Sequence, residues 1–157
     1  MTVNFKKIIQ TLKTYNLQFL IIGGHAVIQH GYIRTTEDID IVFMRNSESE
    51  KNLLSSLKTL DACWISSEID PTTKLEKLIP VDISYIKNNH LMMLHTKFGY
   101  LDIFDYLPSF PEEKLDGIFR RSTISNDVCY IGLEDLIRMK KASGRPKDLN
   151  DIMELEG

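Results

Sequence analysis

The chain has 157 residues, 43% of them hydrophobic and 26% charged, which suits one soluble domain with its own core. A net charge of -3 gives no bulk attraction to nucleic acid, so any such contact must come from a local cluster. The longest apolar runs, such as Phe19 to Ile22, are far too short to span a bilayer, and no basic-then-apolar leader opens the sequence. A cytoplasmic location without membrane contact is therefore expected. Cys63 and Cys129 stand far apart and read as buried free thiols of a reducing compartment. The four histidines (His25, His30, His90 and His95) match no zinc-ligand spacing.

In chain order, Val3, Ile8, Ile9, Leu12 and Tyr15 recur at helical spacing, which predicts a helix over 3–15 starting almost from Met1 and capped by Asn16. The run LQFLII reads as a buried strand that stops at Gly23. HAVIQHG is a short helix ended by Gly31, and the strict alternation of DIDIVF is a strand. Ser47 and Glu50 stand in capping-box spacing before a helix that runs to about Leu60. Residues 66–78 read as a polar loop. IPVDISYI, LMMLHT and YLDIFDY read as three strands, with turns at Asn88-Asn89 and Lys97-Phe98-Gly99. PEEKLDGIFRR is a helix opened by Pro111, and VCYIG is a last short strand after Ser125-Asn126-Asp127. LEDLIRMKKA and PKDLNDIMELE are closing helices, from about 133–156, separated by Ser143-Gly144-Arg145-Pro146. The alternation of strands and helices predicts an α/β (α+β) fold, one domain spanning 1–157 with a mixed sheet flanked by helices.

Two features work against folding and so point to function. Gly23 and Gly24 cost backbone entropy, yet they let a ligand approach the backbone at a helix start whose N–H groups favour phosphate. Asp38 and Asp40 project from one strand face, roughly 7 Å apart along the chain, while Ile39 and Ile41 point into the core. Two carboxylates so placed can share hard divalent cations such as Mg²⁺, which takes carboxylate oxygens together with substrate phosphate. Only thirteen residues separate Gly24 from Asp38.

The order GG, thirteen residues, then DIDI resembles the signature of the nucleotidyltransferase fold superfamily. GGHAVIQHGYIRTTEDIDI together with LEDLIRMKKASGRPKDLNDI is similar to small stand-alone bacterial nucleotidyltransferase-like proteins. Some of these act as toxins of toxin–antitoxin pairs and abortive-infection systems. The likeness runs from about residue 17 to residue 155. It implies that Gly23 and Gly24 hold nucleotide phosphates and that Asp38 and Asp40 bind metal, Mg²⁺ or Mn²⁺, with a third carboxylate on a later strand. Asp82 and Asp102 both offer that carboxylate. Their local patterns do not choose between them, and the resemblance favours Asp102. Asp105 falls on the opposite face from Asp102.

Arg34 could clamp a triphosphate or orient Asp38, and Thr36 could end its loop with a side-chain hydrogen bond or serve the nucleotide. His25 starts the short helix as a donor or as a packed ring. RMKKASGRPK, 138–147, holds five cations and no anion. In the resembled family such a helix faces the cleft, which places Lys140 near the nucleotide phosphates and makes Arg145 and Lys147 candidate RNA contacts.

The implied reaction carries a nucleoside monophosphate from an NTP to a hydroxyl of RNA, a protein or a small molecule, with a cognate antitoxin as a further partner. The alternatives are a catalytically inactive nucleotide- or partner-binding module and a metal-dependent glycosyltransferase. The upstream Gly-Gly turn and the short chain argue against the glycosyltransferase.

Overall fold

A computed structural model of the chain describes residues 3–157. Met1 and Thr2 lie outside the described residues, as does that part of the expected first helix. The elements in order are α1 (Phe5–Thr14), β1 (Phe19–Ile22), α2 (Gly23–Gln29), β2 (Asp38–Phe43), α3 (Ser47–Thr59), β3 (Cys63–Ile69), β4 (Glu76–Pro80) and α4 (Ile83–Asn88). They continue as β5 (Leu91–Thr96), β6 (Gly99–Phe104), α5 (Leu115–Arg120), β7 (Thr123–Ser125), β8 (Val128–Tyr130), α6 (Leu133–Ser143) and α7 (Pro146–Glu156). The strands form one mixed eight-stranded sheet in the order β4-β3-β5-β6-β2-β1-β8-β7. β2 pairs parallel with β6 and β1 parallel with β8, while the other neighbours are antiparallel.

One face of the central strands is fully buried. Ile39, Ile41, Leu101, Ile103 and Met92 are 0% exposed and join Ile8, Leu12, Leu53 and Leu57 in a single apolar cluster. Each such side chain contributes about 1.5–3 kcal/mol by leaving water, enough to offset an unfavourable charge on the opposite face of the same strand. Asn16 follows α1 with φ 59° and donates its N–H to the Lys13 carbonyl, the left-handed cap that asparagine tolerates. Gly144 ends α6 the same way, with φ 65°, and Pro146 opens α7.

Several expectations are corrected. The region read as a polar loop is a hairpin of β3 and β4, with Trp64 opposite Ile79 and Ile65 opposite Leu78. IPVDISYI is not one strand: β4 stops at Pro80, and Asp82 instead caps α4, its Oδ1 accepting from the Tyr85 N–H at 2.8 Å. Pro111 does not open a helix, because α5 begins only at Leu115. The capping box of α3 uses Asn46 and Ser49 in place of Ser47 and Glu50. Thr123–Ser125 forms β7, which pairs with β8. Both cysteines are free, as expected, but half-buried rather than buried. No helix among the described residues is long and apolar enough to cross a membrane.

Candidate active site

The Gly-Gly pair makes the turn from β1 into α2. Gly23 has φ +69°, where a side chain is strained, and a Cβ there would collide with the Asp40 carboxylate. A Cβ on Gly24 would lie 2.5 Å from Thr36 Oγ1. Both glycines therefore make room for polar groups that converge on the turn. No side chain among the described residues caps α2, which leaves its first N–H groups available to solvent or a ligand.

Parallel pairing of β2 with β6 sets Asp40 directly beside Asp102 and Asp38 beside Tyr100. Carboxylate oxygens of Asp38, Asp40 and Asp102 all lie within 4.8 Å of one another. Burial, then the charges of Asp38 and Asp102, push Asp40 up to about 8. Burial and Asp38 push Asp102 up to about 6. The pair thus retains a proton near neutrality. Such mutual repulsion at close range is what a divalent cation relieves, so these donors fit a hard, oxygen-seeking ion. Asp105 is elsewhere, taken by Arg45 at 2.7 Å and His90 at 2.7 Å.

A cleft of about 320 Å³ opens over the triad, lined by Gly23, Gly24, Arg34, Thr36 and the three aspartates on one side. Lys140, Arg145, Lys147 and Asp148 line it from α6, α7 and the turn between them. Thr36 closes its loop by donating to the Asp38 carbonyl at 3.2 Å. Arg34 donates to neither carboxylate of the β2 pair among the described residues. It forks onto Asp151 instead, at 2.9 and 3.0 Å. Lys140, 8% exposed, pairs with Asp151 at 2.9 Å and Asp148 at 3.3 Å. Arg145 in turn holds Asp148 at 2.8 Å. Burial alone would raise Asp148, but bonds from Arg145 and Ser143 and the Lys140 charge hold it well below the usual carboxylate range. The result is a chain of alternating charges, Arg34–Asp151–Lys140–Asp148–Arg145, that fixes the cationic wall of the cleft.

The sequence reading missed Asp148 and Asp151. Their signal was present, three apart on one side of a helix, but their partners lie far off in the chain. Arg138 is held by Glu113 and Asp135 and lies 4.3 Å over the Phe110 ring, and Lys141 pairs with Glu156 at 3.6 Å. The basic segment is thus largely neutralised by its neighbours. His25 stacks on Phe5 at 4.4 Å, and its buried Nε2 has no partner among the described residues. Burial lowers its basicity, against the upward pull of Asp38.

Comparison with known proteins identifies the fold and the family. The chain is similar over its full length to the crystal structure of the lincosamide antibiotic adenylyltransferase LnuA with lincomycin bound. The TM-score is 0.65 at 19% identity, covering 100% of this chain and 99% of that one. It is also similar to TM1012 of Thermotoga maritima, whose assignment as a nucleotidyltransferase is provisional. There the TM-score is 0.55 at 14% identity, covering 95% of this chain and 88% of that one. At these identities the likeness establishes the nucleotidyltransferase fold. No curated protein matches the sequence. A family model described as a nucleotidyltransferase of unknown function, DUF6036, matches residues 3–156. With nearly every residue inside that match, the chain belongs to the DUF6036 family of nucleotidyltransferases.

Proposed function

We propose that this protein transfers a nucleoside monophosphate from an NTP to a hydroxyl acceptor, with Mg²⁺ or Mn²⁺ held by Asp38, Asp40 and Asp102. The observation that carries the reading is the convergence of three carboxylates on adjacent strands, beside a glycine turn and a cationic wall. When bound, the divalent cation neutralises triphosphate charge and lowers the pKa of the acceptor hydroxyl. The chain's own groups do the rest. Gly23 and Gly24 offer backbone N–H groups to the phosphates, with room that no other residue would leave. Lys140 and Arg145, fixed by Asp148 and Asp151, attract the β- and γ-phosphates, and Arg34 and Thr36 border the same space. The acceptor oxygen bonds to the α-phosphorus, the α–β bridging bond breaks, and pyrophosphate leaves toward the cationic wall. Asp102, beside Asp40 on the adjacent strand, accepts the hydroxyl proton.

Incubation with α-labelled NTPs and Mg²⁺ tests this directly. Label joined to an acceptor, with pyrophosphate released, supports the reading. Sugar transfer from a sugar nucleotide supports the glycosyltransferase alternative, and tight nucleotide binding without turnover supports an inactive module. The toxin role of the resembled branch further requires an RNA or protein acceptor and a cognate antitoxin, which growth arrest on expression and its relief by a neighbouring gene would reveal.

A further inference from the structure

On the triad's face of the sheet, the apolar side chains of β5, β3 and β4 stand open to solvent among the described residues. Met93 stands directly opposite Asp102 and His95 opposite Tyr100, while Tyr100 is itself beside Asp38. Their side chains therefore share the carboxylates' face. Next outward, Ile65 and Leu78 form a cross-strand pair. The exposure is large for apolar groups: Met93 is 62% exposed, Leu78 53%, Ile65 46% and Tyr100 39%. The opposite side chains of the same strands, Met92, Leu94 and Leu101, are at most 1% exposed. At about 4.8 Å per strand, the surface from β6 to β4 spans roughly 14 Å, the width of a small molecule. An apolar surface of this kind on a single domain marks a binding site.

Resting on the nucleotidyltransferase reading, we propose that this strand surface seats the acceptor, and that the acceptor is a neutral hydroxyl-bearing small molecule with an aromatic or apolar body. Two observations select that occupant. First, α6 packs against α2, the helix that follows the glycine turn, and Asp151 of α7 holds Arg34 of the loop before β2, whereas β5, β3 and β4 lie on the other side of the triad in the sheet. The cations all line the β1 side, so pyrophosphate leaves that way. An attacking oxygen must enter opposite the leaving group, from over Met93 and Tyr100. Second, this surface carries apolar and aromatic residues and one histidine, but no lysine or arginine at the triad-facing positions of β5 and β6. A polyanion such as RNA finds no counter-charge there. An uncharged ring or alicyclic body can lie on Met93 and against the edge-to-face His95–Tyr100 pair, whose centroids are 4.5 Å apart.

The test uses the full chain labelled with [methyl-¹³C]methionine. Met139 lines the phosphate cleft, Met93 the strand surface and Met92 the core, and Met153 stands exposed on α7. With Mg²⁺, a non-hydrolysable ATP analogue should move Met139 and leave Met93 in place. A panel of neutral sugars bearing one aromatic ring, 4-nitrophenyl glucoside among them, should then move Met93 but neither Met92 nor Met153. The double variant Met93→Ser, Tyr100→Ser should weaken that binding roughly tenfold or more while Met139 still reports the nucleotide. A single-stranded RNA hexamer should leave Met93 unmoved. Four results overturn the proposal: no Met93 response to the panel, an equal response to RNA, a response to nucleotide alone, or a Met93 shift that tracks protein concentration and so reveals a second copy on this face. If analogues of all four NTPs move no methyl, the nucleotidyltransferase reading itself fails and takes the acceptor platform with it.

Discussion

Replacing Asp40 by Asn should make the metal-free protein more stable, and the gain should grow with pH. Burial and two neighbouring carboxylates push the Asp40 carboxyl up to about 8 from an ordinary 3.8. Below the ordinary value both folded and unfolded chains hold the proton, and no penalty arises. As pH rises through the interval, the unfolded chain sheds its proton and the folded chain keeps it, so stability falls until about pH 8. At pH 7 this interval covers about three pH units, and at ~1.4 kcal/mol per unit the ceiling is about 4 kcal/mol. Asp102 shares the proton, and the open cleft admits water, so a gain of about 1–2 kcal/mol is expected. That corresponds to roughly 3–6 °C in melting temperature for a chain of this size. The asparagine amide can still donate to Asp102 as the protonated carboxyl does, which preserves the contact. Thermal unfolding followed by circular dichroism, in EDTA at pH 5 to 8, measures it. No gain at pH 8, or an equal gain at pH 5, refutes the reasoning. Excess Mg²⁺ should reverse the order by stabilising the wild type more than the variant.

Asp38→Asn and Asp102→Asn should each abolish label transfer while leaving the far-ultraviolet spectrum unchanged. Asp82→Ala should cost only about 1 kcal/mol, as a lost helix cap, and keep transfer, measured by urea melts alongside the transfer assay. Asp151→Ala removes a fully buried partner of both Arg34 and Lys140 and should cost about 3–5 kcal/mol in the same melts, with a raised KM for NTP. Lys140→Ala should raise the apparent nucleotide requirement about tenfold, since a charged phosphate contact contributes roughly 1.5–3 kcal/mol.

The elements nearest the chemistry are the ones most legible in the sequence. Gly23-Gly24 closes a wholly apolar run, and Asp38-Ile39-Asp40-Ile41 alternates without a break, so β1, the turn and β2 follow from short-range pattern. Capping and turn residues likewise locate α6 and α7. The β3–β4 hairpin was hidden for a physical reason. As an uncovered edge it carries polar residues such as Ser67, Glu68 and Lys77, and Ile65 and Leu78 face solvent, so the usual contrast between a wet and a dry face is lost. Asp82 misled because Ile79, Val81 and Ile83 continue an apolar alternation across Pro80, whereas a carboxylate three residues before a free N–H is equally a helix cap. The positions of Asp38, Asp40 and Asp102 on one face could be argued from strand period, but their mutual distance depends on β6 pairing with β2, which no local pattern encodes. The ties of Asp151 to Arg34 and of Asp148 to Lys140 are of the same kind, made by tertiary folding of α7 onto the cleft.

The central claim is that the three aspartates form one divalent-cation site completed by a nucleoside triphosphate. Calorimetric titration of Mn²⁺ into the protein, with and without a non-hydrolysable ATP analogue, measures this most directly. Binding should tighten when the analogue is present, release protons at pH 7, and disappear in Asp38→Asn, Asp40→Asn and Asp102→Asn alike. Mn²⁺ binding that is indifferent to the analogue, or that survives loss of any one of the three carboxylates, would contradict it.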